Sequence, residues 1–277
     1  MKKLISIMSF ISPISQLTLL CLLAAGGGVP TGALAAWSAP GEDFSGELTL
    51  GGAVTNSHNP WGWKLMVGEN ADMSLQATDH ISRNGEQTWS GLLKGQPILL
   101  GRTLLSMPTG REGLAPRVNY SSDTPGTLLT WVSDGQGKMT LPVYDVANNI
   151  SPVGELSFRL QASMLLRHME DGQPVYTRVY SDLSGNGLPP QGLTLSAEST
   201  APRLCELFAG DGPTWLCTAA TQVGDAVPLS RLTDSDLRQP QGVYGSAIIP
   251  GSGELRLRRD VMLSRWKTTL NVSIAYQ

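Results

Sequence analysis

At 277 residues the chain is long enough for one large or two small domains with a core that needs no cross-links. Apolar residues make up 41% and charged residues 16%, which excludes a disordered chain. The formal charge of −3, from 20 basic and 23 acidic residues, supplies no basic field for phosphates and excludes a nucleic-acid binder. Thirty-one Gly and 18 Pro predict many turns and few long helices, while three His and three Cys limit metal and redox chemistry.

The first segment reads as a secretory signal. Lys2 and Lys3 precede an apolar stretch, densest from Leu17 to Ala25, which Gly26-Gly27-Gly28, Pro30 and Ala33-Leu34-Ala35-Ala36 follow. Ser9, Ser12, Pro13, Ser15 and Gln16 interrupt the run, which disfavours a membrane anchor needing about 20 clean apolar residues. Cys21 invites a lipoprotein reading, but Leu20 stands before it where a small residue is preferred. Cleavage after residues 1–36 leaves 18 basic against 23 acidic residues, a charge of −5. Residues 37–54 then form an N-terminal extension and residues 55–277 a single domain.

Along the mature chain a period of two dominates. In residues 44–50, Phe44, Gly46, Leu48 and Leu50 share one face and Ser45, Glu47 and Thr49 the other. Trp61 and Trp63 share a strand face and read as structural. Met73, Leu75 and Ala77 alternate with Ser74, Gln76 and Thr78, predicting a strand. The runs Leu128–Val132 and Met139–Val143 flank Asp134-Gly135, a hairpin signal. From Leu156, Phe158, Leu160, Ala162 and Met164 form an apolar face opposite Ser157, Arg159, Gln161 and Ser163. A turn at Glu170-Asp171-Gly172 leads into Val175–Tyr180, and Gly185-Asn186-Gly187 marks another turn. Helical signals are confined to Pro202–Phe208 and Ser230–Leu237. Leu255 to Arg258 alternate again. At the end Leu270, Val272, Ile274 and Tyr276 alternate with Asn271, Ser273, Ala275 and Gln277. Such strands joined by Gly-rich turns predict an antiparallel β-sandwich.

Signal removal also takes Cys21, leaving Cys205 and Cys217 with 11 residues between them. In an oxidising compartment an even pair at this distance reads as one disulfide. Free thiols and a metal site are the rivals, although two thiols without a nearby His supply too few zinc ligands.

The two end segments admit two readings. They are the first and last strands of an ordinary sandwich, or they serve strand exchange between subunits. In the second case a sandwich lacking one strand exposes an apolar groove with unpaired backbone groups, which an extension from a neighbour fills.

Several segments carry a resemblance that bears on this choice. They are Trp37; Asp43-Phe44-Ser45-Gly46; Leu50-Gly51-Gly52-Ala53-Val54-Thr55; and Trp61-Gly62-Trp63-Lys64 followed by Val67-Gly68. Pro97-Ile98-Leu99-Leu100-Gly101-Arg102-Thr103 is the most specific, and Trp266 with Leu270-Asn271-Val272-Ser273-Ile274-Ala275-Tyr276 closes the set. Glu206-Leu207-Phe208 and Leu229-Ser230-Arg231 look similar to short helical pieces of the same family. In these segments the chain resembles the FaeG-type fimbrial subunits of the chaperone–usher pathway of enteric bacteria. About residues 110–228 lie outside the resemblance.

The resemblance implies an all-β fold, an incomplete immunoglobulin-like β-sandwich completed by donor-strand exchange, with short helical insertions. It implies export through the periplasm and a fimbrium on the cell surface. The implied partners are a periplasmic pilus chaperone, an outer-membrane usher and neighbouring fimbrial subunits, with a host glycan receptor added on the adhesin reading. Phe44, Gly46, Leu48 and Leu50 would be the donor residues, Gly46 sitting where the groove is too shallow for a side chain. Leu270, Val272, Ile274 and Tyr276 would line the receiving groove and pair with the chaperone's strand. The Cys205–Cys217 pair and the divergent middle depart from the family's principal adhesin. Minor subunit and major subunit or adhesin therefore both stay open.

Enzymatic chemistry finds little support. His58, His80 and His168 are scattered, without metal-ligand spacing, and a Gly-x-Ser-x-Gly nucleophile turn is absent. Asp234 and Asp236, on a predicted short helix, would point apart. No cofactor and no metal are expected. The alternative function is a secreted monomeric carbohydrate-binding β-sandwich, with Tyr176, Tyr180, Trp215 and Tyr244 as candidate sugar platforms beside their reading as core residues.

Overall fold

Alternating apolar residues and tight turns give this chain strands that must bury one face, and the computed structural model shows how they do so. The structure describes residues 59–65, 73–83, 85–123, 128–147, 150–218, 220–258 and 265–277. The predicted signal, the extension 37–54 with Phe44, Gly46, Leu48 and Leu50, and His58 lie outside the described residues.

The strands run in chain order β1 (Trp61–Leu65), β2 (Ile81–Arg83), β3 (Glu86–Leu92), β4 (Pro97–Thr103), β5 (Pro116–Ser121), β6 (Leu129–Ser133) and β7 (Gln136–Asp145). They continue with β8 (Gly154–Glu170), β9 (Gln173–Tyr180), β10 (Gly224–Pro228), β11 (Arg238–Ile248), β12 (Gly253–Arg258), β13 (Trp266–Lys267) and β14 (Asn271–Tyr276). Two helices, α1 (Ala197–Phe208) and α2 (Thr214–Thr218), intervene. Among the described residues twelve strands form one sheet, with β1-β4-β11-β8-β12-β3-β2 in line, and β14 and β5 form a second sheet of two strands. The fold is an all-β sandwich with few short helices.

The 17-residue β8 organises the large sheet. Its first half pairs with β7 on one edge and β12 on the other, and its second half with β9 and β11. The hairpin expected at Asp134-Gly135 joins β6 to β7, with positive φ at both residues (44° and 69°) and Ser133 opposite Gln136. Asp171-Gly172 repeats this between β8 and β9, with φ of 48° and 77°. Two consecutive positive φ values match the right-handed twist of the flanking strands, which is why Asp-Gly is favoured there.

Each face of the large sheet carries its own core. Leu99, Leu166 and Tyr244 point to the main core, together with Val118 and Tyr120 of β5, Phe158, Leu160 and Met164 of β8, and Met139 and Leu141 of β7. Their neighbours Leu100, Leu165 and Val243 point the other way, under Ala201, Leu204 and Phe208 of α1 and Leu216 of α2. Successive strand residues face opposite sides, so both sides of this region must be covered. The polar face expected for β8 is therefore partly covered: Ser157 and Ser163 are buried and Arg203 donates from Nε to Gln161 Oε1 at 3.1 Å.

Buried hydroxyls bolt the two sheets together. Tyr120 Oη of β5 lies 3.0 Å from Tyr244 Oη and 2.6 Å from Ser246 Oγ of β11, and Tyr244 donates to the Gly187 carbonyl at 2.8 Å. Burial raises the pKa of both phenols, offset at Tyr120 by its bonds to Ser246 and Tyr244. A raised folded-state value favours the neutral form, so the stability these groups add is complete below their unfolded pKa of 10.0 and is lost as pH rises above it. Two of the six tyrosines are expected to ionise only as the protein unfolds. Alkaline titration read at the tyrosinate absorbance and by circular dichroism together checks this; six phenols ionising before structure is lost would refute it.

Three predicted elements are corrected. Met73–Gln76 is not a strand, and Ala77–Asp79 is a 3-10 turn. Met73 and Leu75 do pack on the main core, but the Gln76 carbonyl accepts from Trp89 Nε1 at 3.0 Å and from Asp79 N at 3.1 Å instead of a ladder. The helix expected from Pro202 starts five residues earlier, at Ala197, with Pro202 inside it at the loss of one intrahelical bond. It stops where Ala209 takes a left-handed φ of 47° and donates to the Cys205 and Glu206 carbonyls. The helix expected at Ser230–Leu237 is only a 3-10 segment, Leu229–Thr233.

Candidate functional site

The last strand forms the site, because its two edges differ. Ser273 of β14 lies opposite Asn119, and Ala275 opposite Arg117. The Ala115 N–H donates to the Gln277 main-chain oxygen at 3.2 Å, and the Gln277 N–H donates to the Ala115 carbonyl at 3.0 Å. Such reciprocal pairs recur every second residue of an antiparallel ladder. Asn271, Ser273, Ala275 and Gln277 therefore turn their backbone groups to β5, and Val272, Ile274 and Tyr276 turn theirs to the opposite edge. That edge has no strand partner among the described residues.

The side chains divide in the same way. Leu270, Val272, Ile274 and Tyr276 are half-buried and pack on the main core, while Asn271, Ser273 and Ala275 are exposed. One row of residues thus offers both an open backbone edge and a partly covered apolar face.

Edge strand β1 fixes the far end of this row. Trp63 Nε1 donates to Tyr276 Oη at 2.7 Å across 213 positions of sequence. Trp61 stacks on Trp63 with ring centres 5.3 Å apart and donates from Nε1 to the Leu114 carbonyl at 2.8 Å. These rings lie over glycines. A Cβ at Gly101 would sit 2.3 Å from Trp63, and one at Gly242 would sit 2.4 Å from Trp61. Gly101 explains part of the Pro97–Thr103 motif: a side chain there would displace the indole that orients Tyr276. The shared strand face of Trp61 and Trp63 in the sequence marks both as structural but gives no sign that Trp63 reaches the final strand.

Cys205 of α1 and Cys217 of α2 form a disulfide that ties α2 to α1 over the second core. Asp234 and Asp236 do not diverge, since Asp234 is extended after the 3-10 turn. Both reach Arg231, at 2.7 Å and 2.6 Å. This pairing lowers the Asp236 pKa and raises that of Arg231. Of the proposed sugar platforms Tyr176 and Tyr244 are buried, and Tyr180 and Trp215 are half-buried, with Trp215 packed on Tyr176 at 5.7 Å. Stacking on sugar needs an exposed ring face, so the carbohydrate-binding reading is not favoured.

Fold and site together define an all-β sandwich subunit whose final strand leaves one edge open among its described residues. A family model described as fimbrial, major and minor subunit, that of the K88 fimbriae, matches residues 16–277. Over 242 residues the chain is 45% identical to the K88 minor fimbrial subunit FaeI of Escherichia coli, spanning 87% of this chain and 92% of that protein. The chain belongs to the K88 fimbrial subunit family. It is a fimbrial subunit, of a family that is structural rather than catalytic and that is exported and assembled into surface fimbriae.

Proposed function

We propose that this subunit polymerises head to tail by donor-strand exchange, receiving a neighbour's strand along the open edge of β14. The observation that carries this reading is the coincidence, on Val272, Ile274 and Tyr276, of an edge unpartnered among the described residues with half-buried apolar side chains. An incoming strand gains main-chain bonds from that edge and apolar contacts from that row. The donor is the extension 37–54, after removal of a signal at 1–36, with Phe44, Gly46, Leu48 and Leu50 facing the groove of the next subunit. Before assembly the same edge pairs with a periplasmic chaperone's strand, and an outer-membrane usher exchanges one strand for the other. The 45% identity to a minor subunit supports a minor place in the fibre over the adhesin role with its glycan receptor.

Hydrogen exchange tests the receiving edge. The amides of Val272, Ile274 and Tyr276 are expected to exchange fast in the isolated subunit and slowly in the fibre, while those of Ser273 and Ala275 stay slow in both. Fast exchange at the first three positions in the fibre would refute the assignment.

A further inference from the structure

The two-stranded sheet has a second outer edge, on β5, and the turn signal Gly185-Asn186-Gly187 lies against it. Pro116, Val118 and Tyr120 turn their backbone groups away from β14, by the alternation established above. Pro116 has no N–H to offer. The Val118 carbonyl accepts from the N–H groups of Asn186 at 3.3 Å and Gly187 at 3.0 Å. The Tyr120 N–H donates to Asn186 Oδ1 at 2.7 Å, and Asn186 Nδ2 donates to the Tyr120 carbonyl at 2.9 Å. The side-chain amide of Asn186 thus makes the two bonds that a residue of a neighbouring strand would make.

The rest of the motif permits this approach. Gly185 has a φ of 142°, and a Cβ there would lie 2.9 Å from the Val118 carbonyl oxygen. A Cβ at Gly187 would lie 2.5 Å from the Val118 Cβ. Only glycine on both sides lets the turn lie this close. The Gly187 carbonyl also accepts the bond from buried Tyr244, which anchors the turn to the large sheet.

We infer that Asn186 is a specificity-determining residue that closes the β5 edge, so that strand addition to this sheet occurs only at β14. The inference rests on the strand-exchange reading for the identity of the incoming strand, though the closure of β5 does not. An unclosed edge of this length pairs with any extended chain, and a subunit with two receiving edges would branch or associate side-on instead of forming a linear fibre.

The test uses the exported full chain, its Asn186→Ala and Asn186→Asp variants, and a synthetic peptide of residues 43–54 as strand probe. The alanine variant removes both bonds; the aspartate variant keeps the shape and the acceptor but loses the Nδ2 donor. Native mass spectrometry counts peptides per chain and detects side-on dimers, while hydrogen exchange reads the Tyr120 amide. The wild type is expected to take up at most one peptide. Asn186→Ala is expected to exchange the Tyr120 amide about tenfold faster, as loss of one hydrogen bond predicts, and to take up a second peptide or dimerise side-on. Asn186→Asp is expected to fall between them. If the variants gain an edge while the wild type takes up no peptide, the closure stands and the strand-exchange reading of β14 fails. Unchanged stoichiometry, association and Tyr120 exchange in both variants would overturn the inference.

Discussion

Leu48→Asp is expected to leave the subunit exported and folded and to abolish its donation to the next subunit. In the proposed complex Leu48 fills the groove whose walls include Val272 and Ile274, both half-buried against the main core. Burying a leucine side chain contributes roughly 1.5–3 kcal/mol, and leaving an unpaired carboxylate in its place costs at least a further 2 kcal/mol or so. Together these give on the order of 5 kcal/mol, a loss of more than a thousandfold in affinity. The complementary Ile274→Asp chain should fail as acceptor and still donate. Copurification of tagged L48D and I274D chains with wild-type subunits separates the two defects. Normal incorporation of L48D would remove Leu48 from the donor set, whatever I274D does.

Breaking the disulfide is expected to give the largest effect on stability that leaves assembly contacts untouched. Cys205 and Cys217 are 12 positions apart, and closing a loop of that size contributes about 3 kcal/mol. At this chain length that corresponds to a fall of roughly 6–12 °C in melting temperature. Without the bridge α2 holds on through Leu216 in the second core and Trp215 against Tyr176, and its detachment uncovers Leu204 and Phe208. Cys205→Ala, Cys217→Ala and the double variant should melt at the same temperature, and reductant should lower the wild type to match them. A wild type that ignores reductant, or single variants that differ by several degrees, would show that the bridge does not hold this part of the fold.

Much of the architecture was legible because it depends on local pattern. Leu156 to Met164 alternate strictly and form the first half of the central strand. The two Asp-Gly turns need positive φ values that this dipeptide tolerates, so both turns could be located, although the strands beside them start or end up to three residues away from the runs read in the sequence. The final strand was visible as four alternating apolar residues, and the Cys pair as an even count in an exported chain. Met73 to Thr78 shows where pattern alone misleads. Their alternation is real, but a strand needs a partner edge, and the Trp89 indole takes the Gln76 carbonyl instead. Pro202 misled in the other direction, since proline suits a helix start and here lies inside α1.

The chain by itself determined the all-β class, the positions of the tight turns, the cysteine bridge and the apolar row of the last strand. Each follows from backbone preferences and side-chain periodicity within a few residues. Only the tertiary structure decided which strand edges are paired and which have no strand partner among the described residues. The bond from Trp63 to Tyr276 spans 213 positions and that from Asn186 to Tyr120 spans 66, and no local periodicity encodes either. It also decided that Tyr244 is a buried bolt and that α1 covers the far face of β8. Burial and pairing depend on what folds against a segment from elsewhere in the chain, and that information is absent from the segment itself.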